Sequence, residues 1–404
     1  MLRATSIALG LASFIVAVGA ADPSQWTADP RLHRSMWGIA YTAEHAANYP
    51  ACGDTLDEVV RDVQLMSQLT TRIRTYGTDC NQLRLVQQAI QQTKTNLHVY
   101  AGIYIDGNET TFERQRDEAF AVFDQYGVDN VLGITVGNEY LLQAYTANPA
   151  TLETAQTYLI SKIQDVRTML ASKNYGKTIP VGSADAGSQI TATYAQAADF
   201  IMANSHPFFS GVTIDGAAIW TAEYLVNEQP HFATDAGKLL LSSEVGWPTD
   251  AMATTDPAGL TLNGSIASTA NLQTMLDTFV CATNANLTAG SALGHGYFWF
   301  ELFDQEWKVQ YGGAEPYWGL FDKDRNLKDI TIPSCIAPEE APVGNMGNNT
   351  GSGSSSGSSG NGGSGGSGSN GGSGNSQNGA TGSNVVLSAF TALILAAVGG
   401  LALL

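Results

Sequence analysis

Two glutamates, Glu139 and Glu244, each stand just past a short apolar run: Val131-Leu-Gly-Ile-Thr-Val-Gly-Asn-Glu139 and Leu239-Leu-Leu-Ser-Ser-Glu244. Both runs have strand length and end in small or turn-forming residues. Two carboxyl groups brought to one rim are what glycosidic bond cleavage requires, one as acid and the other as nucleophile or base. A single glutamate at a strand end is weak evidence, because many such residues cap the next helix or meet solvent. Two of them, each in a glycine-containing turn, are stronger. Asn138, beside Glu139, is placed to bond a sugar hydroxyl, although asparagine also serves turns there.

The elements that must deliver these groups alternate between strand and helix patterns. Strands are predicted over Met36–Tyr41, Thr71–Tyr76, Leu97–Ile105, Val131–Val136, Ile179–Gly182, Asp199–Ala203, Lys238–Ser243 and Gly296–Phe300. Helical spacing of apolar residues runs over Leu56–Leu69, Phe112–Tyr126, Leu152–Leu170 and Ser265–Cys281, the last opening on Ser265 as a cap. Repeated strand–helix units imply a parallel sheet, and eight of them favour a closed (β/α)8 TIM barrel over an open doubly wound sheet. Chemistry in such a barrel lies at the C-terminal strand ends, where the fourth strand delivers Glu139 and the seventh Glu244.

Aromatic residues with interspersed polar groups suit the stacking and bonding of sugar rings. Tyr41, Tyr76, His206, Phe208, Phe209 and Trp247 fall at predicted strand ends and are candidates to line a groove, while Phe298, within the eighth strand, either meets substrate or points into packing with Phe300. Glu301 and Lys308 follow the eighth strand and either touch substrate or pair with each other. The six histidines form no His-x-x-x-His or His/Cys cluster, so no metal site is expected. No dinucleotide fingerprint follows the first strand, and no cofactor is expected.

Both ends of the 404-residue chain look removable. Residues 1–21 read as a secretory signal peptide, with Arg3 before an apolar run from Ile7 to Val18. Residues 336–378 form a Gly/Ser/Asn-rich tether that buries too little apolar surface to fold. Residues 379–404 read as a glycolipid (GPI) attachment signal, with Asn378 as attachment residue and Asn375 as the second candidate. A tail-anchored helix is the alternative, but the apolar run lacks the flanking Lys or Arg of a stable span. The expected location is the outer face of the plasma membrane or the cell wall, with membrane contact only through the lipid.

Residues 22–335 are then one domain holding nearly all of the net charge of −18, which disfavours nucleic acid and leaves a neutral polymer unopposed. Such a barrel needs no partner chain for stability and is expected to be a monomer. Four cysteines in a secreted chain suggest two disulfides. Three pairings are possible. Cys52 and Cys80 follow the first two strands on one rim, whereas Cys281 and Cys335 fall at the opposite face, so topology favours Cys52–Cys80 and Cys281–Cys335. Sequons at Asn108, Asn263, Asn286 and Asn348 are compatible with glycosylation.

The chain resembles glycoside hydrolase family 17 in its fungal branch. The resemblance rests on Val136-Gly-Asn-Glu139, Ser243-Glu-Val-Gly-Trp-Pro-Thr249 and Phe298-Trp-Phe-Glu301 with Phe303-Asp304 and Trp307-Lys308. Gly38-Ile-Ala-Tyr41, Arg74-Thr-Tyr-Gly77, Ala184-Asp-Ala-Gly187 and Asn204-Ser-His-Pro-Phe208 support it. It implies retaining hydrolysis of 1,3-β-glucan within the chain, with Glu139 as acid/base and Glu244 as nucleophile. A glucan transferase would use the same intermediate, and a silent glucan-binding wall protein would have no need of both glutamates.

Overall fold

In the computed structural model, residues 22–43, 52–252, 261–262 and 264–335 are described. Local chemistry starts the elements. Before helix Leu56–Met66, the Thr55 backbone N–H donates to the Glu58 carboxylate at 2.7 Å, and Thr55 accepts from the Glu58 N–H in return. This reciprocal pair satisfies two of the N–H groups left open at a helix start. The helix then buries Val59, Val60, Val63 and Met66, the face that its 3.6-residue spacing puts together.

The strands in chain order are β1 (Gly38–Ala40), β2 (Arg72–Arg74), β3 (His98–Ile103), β4 (Val131–Asn138), β5 (Val181–Ala186), β6 (Phe200–Asn204), β7 (Leu239–Val245), β8 (Thr261–Leu262), β9 (Ser265–Ile266) and β10 (Gly296–Trp299). Eight of them close in the order β1-β10-β7-β6-β5-β4-β3-β2, every pair parallel, while β8 and β9 form a separate antiparallel hairpin. This is the expected (β/α)8 barrel. All eight strands of the barrel coincide with predicted runs, with shifted ends. Two shifts matter: β4 continues through Asn138 and β7 through Val245, so Glu244 lies within its strand.

The barrel interior is packed with rings. Tyr100 meets Phe200 and Phe298 edge-on at centroid separations of 5.4 and 5.6 Å. Gly133 leaves the space they need: a Cβ there would lie 2.9 Å from both Phe200 and Tyr100. Burying one such ring stabilises the fold by roughly 2–3 kcal/mol.

Two expectations are corrected. The chain does not enter a helix at Ser265. Ser265 and Ile266 pair with β8 across a turn at Gly264 (φ 116°), and Ser265 Oγ donates to Val212 O at 2.6 Å. The helix begins at Thr269, where Ser268 Oγ accepts from Asn271 N at 3.1 Å. Nor does Cys281 end that helix, since a π turn over Leu276–Val280 carries it on to Thr288.

Disulfides join Cys52 to Cys80 and Cys281 to Cys335, the pairing that topology favours. The first links the segments after β1 and β2. The second lies at the other end of the barrel, where neighbouring Asn284 donates to Ser35 O at 2.6 Å, before β1. Asn108 is exposed and Asn286 half-buried. Asn263 and Asn348, the attachment candidates Asn375 and Asn378, residues 1–21 and the tether lie outside the described residues.

Candidate active site

Glu139 follows β4 directly, in a left-handed conformation (φ 53°) after Gly137 (φ 81°). It occupies the cap position of helix Tyr140–Ala147 but makes no capping bond. Asp185, on β5, does that work: its carboxylate accepts from Leu141 N and Leu142 N at 2.8 and 3.1 Å. Carboxyl oxygens placed on open helix N–H groups satisfy them, and burial raises the Asp185 carboxyl well above the usual range. Glu139 is thereby released from the common role of a strand-end glutamate. Its Oε1 instead accepts from Asn204 Nδ2, at the end of β6, at 2.9 Å.

Glu244 is held by three side chains. Arg74 Nη1 and the Tyr76 hydroxyl each donate to Oε1 at 2.9 Å, and His206 Nε2 bonds Oε2 at 3.0 Å. Arg74, fully buried, also reaches Asn138 Oδ1 through Nη2 at 2.6 Å and stacks 4.5 Å from the Tyr76 ring centroid. Asn138 accepts a second bond from Asn204 Nδ2 at 3.3 Å, and Ser243 Oγ donates to Asn204 Oδ1 at 2.5 Å. One connected network thus runs from Glu139 through Asn204, Asn138 and Arg74 to Glu244.

These surroundings push the two carboxyls apart. Burial, and after it the negative charge of Glu244, raises Glu139 to about 7. Burial acts on Glu244 in the same direction, but the His206 hydrogen bond and the Arg74 charge outweigh it, and Glu244 falls to about 2. Between these values one group is a proton donor and the other an anion, the division of labour that an acid/nucleophile pair needs.

Beside the pair, Glu301 Oε1 accepts from Lys308 Nζ at 2.8 Å and Oε2 from Gln305 Nε2 at 3.2 Å. Lys308 Nζ lies 4.7 Å from the Phe300 ring centroid. Burial raises both the Glu301 and Glu315 carboxyls, Glu315 to about 7. An aromatic wall backs His206, with Phe209, Phe300 and Trp318 edge-on or nearly so at 5.6, 5.2 and 5.0 Å.

The structure therefore gathers Glu139, Glu244, Asn138, Tyr76, His206, Glu301 and Lys308 in one place. Three other candidates are corrected. The Tyr41 hydroxyl donates to Asp62 at 2.8 Å, on helix Leu56–Met66, and is buried away from the glutamates. Phe298 fills the barrel against Tyr100 and packs on Trp37. Trp247 is fully buried behind the wall, its indole N–H donating to Ile266 O at 2.8 Å and its ring edge-on to Phe208. Arg74, Asp185, Asn204 and Glu315 were not singled out as site residues. The first three fall within the segments that carry the family resemblance, at predicted strand ends, which is the signal that marks them. Glu315 opens the short 3-10 turn Glu315–Tyr317, beyond every predicted strand.

A family profile described as the BtgE/BtgC glycoside hydrolase domain matches residues 38–319. A putative glucan endo-1,3-beta-glucosidase btgC of Aspergillus niger is 37% identical over 317 residues, 75% of this chain and 44% of that protein. The glucan endo-1,3-beta-glucosidase btgC of Emericella nidulans is 33% identical over 321 residues, 75% and 47%. The chain thus spans less than half the length of these curated relatives. Among solved structures, a glycoside hydrolase family 17 beta-1,3-glucanosyltransferase from Rhizomucor miehei is similar at 27% identity and a TM-score of 0.59, covering 74% of this chain and 98% of that one. An active-site mutant of the same enzyme, solved with laminaritriose, matches equally.

Proposed function

The chain belongs to the BtgE/BtgC glycoside hydrolase family, and from that premise we propose that it cleaves 1,3-β-glucan internally by a retaining mechanism. The observation that carries this reading is one hydrogen-bonded network that joins the two glutamates, with three side-chain donors on Glu244 and a single amide on Glu139. In the first step a Glu244 oxygen bonds to the anomeric carbon while the glycosidic C–O bond breaks, and Glu139 gives its proton to the departing oxygen. In the second step ionised Glu139 takes a proton from the incoming hydroxyl. That oxygen bonds the anomeric carbon as the bond to Glu244 breaks. Tyr76 and Arg74 share Oε1 of Glu244 and His206 holds Oε2, which fixes the carboxylate plane before substrate arrives.

A second reading, transfer to a sugar hydroxyl rather than water, is favoured by the likeness to the Rhizomucor miehei glucanosyltransferase along nearly its whole length. Both readings share the glycosyl-enzyme and differ only in the acceptor. The signal-like start, the two disulfides and the glycolipid-like end support action outside the plasma membrane, in remodelling of the cell wall.

The test uses a slow 2-deoxy-2-fluoro laminaribiosyl fluoride to trap the intermediate, then peptide mass spectrometry. The expected label sits on Glu244. Turnover of reduced laminari-oligosaccharides with inverted products and no trapped label would refute the retaining mechanism. Products longer than the starting oligosaccharide would identify transfer.

A further inference from the structure

We propose that Asn108 carries an N-linked oligosaccharide that stands at the catalytic rim and screens the cleft mouth from bulky glucan. The proposal rests on the reading of a secreted glucanase given above. Asn108-Glu-Thr110 is a complete sequon in the loop after β3. Residues 106–110 are all exposed.

The loop is held by atoms other than the one that takes the sugar. Asn108 Oδ1 accepts from Thr110 N at 3.0 Å, capping helix Glu109–Tyr126. The Asn108 backbone N–H donates to Asp106 Oδ1 at 2.8 Å, and Thr111 Oγ1 donates to Asp106 Oδ2 at 3.0 Å. Asn108 Nδ2 donates to no group among the described residues. Attachment therefore breaks nothing, because the glycosylated amide keeps its oxygen and the cap with it. In the transfer, Nδ2 bonds to the C1 of an oligosaccharide carried on a lipid diphosphate. The C1–O bond breaks, the diphosphate leaves with the bonding pair, and Nδ2 gives up one proton.

The loop stands on the same rim as Glu139, because β3 and β4 are parallel neighbours and Glu139 directly follows β4. A Cβ on Gly107 (φ 86°), the residue before Asn108, would lie 3.1 Å from the Tyr140 hydroxyl. Tyr140 directly follows Glu139. The other described sequon has no such reach. Asn286 lies in helix Cys281–Thr288 with its backbone packed against Gly294, and neighbouring Asn284 bonds Ser35 O at the opposite end of the barrel.

The test compares the full chain with Thr110→Ala, both from a glycosylating eukaryotic host. The Thr110→Ala variant destroys the sequon but keeps Asn108 and its cap, so folding is preserved. Asn108→Gln serves as a second unglycosylated variant. Peptide mapping after endoglycosidase release in heavy-oxygen water should find Asn108 converted in most native molecules and in none of either variant. Hydroxyl-radical footprinting should show Tyr140 oxidised at least twofold faster in Thr110→Ala. The rate on polymeric 1,3-glucan relative to laminaripentaose should rise at least twofold, with the pentaose rate unchanged. Unmodified Asn108 in the native protein, or equal Tyr140 oxidation with and without the sequon, would overturn the proposal. If neither protein cuts any 1,3-glucan, the glucanase reading fails, and occupancy and footprinting still decide the attachment and its screening.

Discussion

Replacing Glu244 by Gln removes one negative charge from beside Glu139 and keeps the side-chain volume. In the native chain burial, then the Glu244 charge, raises Glu139 from 4.5 to about 7. Both causes act in one direction, so deleting the second lowers the pKa while burial keeps it above the ordinary value. We expect the Glu139 pKa in the variant to fall below the native value of about 7 and to stay above 4.5. The consequence for catalysis is large. At pH 6 a carboxyl of pKa about 7 is roughly nine-tenths protonated, whereas an ordinary one would be ~3% protonated, about thirtyfold less acid. The assay is a carbon-13 titration of the labelled glutamate carboxyl in Glu244→Gln, assigned by its loss in the Glu139→Gln/Glu244→Gln double variant. In the native enzyme kcat/KM on laminari-oligosaccharides should fall as pH rises through about 7. A Glu139 pKa that stays at or above 7 without Glu244, or a native descending limb below 5, would refute the coupling.

The same carboxyl opposes stability as pH rises. Its folded pKa lies above the unfolded one, so the folded state binds more protons between 4.5 and about 7 and loses stability across that window. Glu139→Gln should therefore gain Tm relative to native as pH goes from 4.5 to 8, and a pH-independent difference would contradict the shift. Asp185→Ala leaves Leu141 N and Leu142 N without their acceptor. It should cost ~1–2 kcal/mol in denaturant unfolding and lower kcat at least tenfold, with Asp185→Asn recovering part of both; native-like turnover in Asp185→Ala would show that the cap does not position Glu139. Cutting the Cys281–Cys335 link with paired serines opens a loop of 54 residues. A loss of up to ~4 kcal/mol is expected, read from the urea midpoint, and an unchanged midpoint would mean that the link adds nothing.

The groove residues show where sequence reading stops. Tyr41, Tyr76, Trp247 and Phe298 are all aromatic and all near strand ends, yet only Tyr76 reaches Glu244. A strand gives the height of a residue in the barrel readily. Which side of the sheet it faces is harder to read where strands are buried on both faces, because alternation of polarity is then lost. Phe298 turns inward onto Tyr100, and Tyr41 turns outward onto helix Leu56–Met66. The misplaced start of the helix after β7 has a similar origin. Ser265 and Ser268 both suit a cap, and the choice was made by the Gly264 turn and by Ser268 N donating to Pro248 O.

The repeating strand–helix units, hence the barrel, and the two strand ends that deliver glutamates to one rim are legible in the residues alone. Those follow from local periodicity and turn chemistry, which act over a few residues. Sequence alone does not determine what each glutamate does. Both follow apolar runs, and local context alone leaves acid and nucleophile interchangeable. What separates the two glutamates is their long-range surroundings: Arg74 comes across 170 positions, Tyr76 across 168 and His206 across 38 to the carboxylate of Glu244. Among the described residues, Glu139 receives one amide and no cation in hydrogen-bonding contact. A buried carboxyl ionises only where donors and positive charge replace the water it has lost, so the barrel's closure, and not the residue type, sets which glutamate keeps its proton.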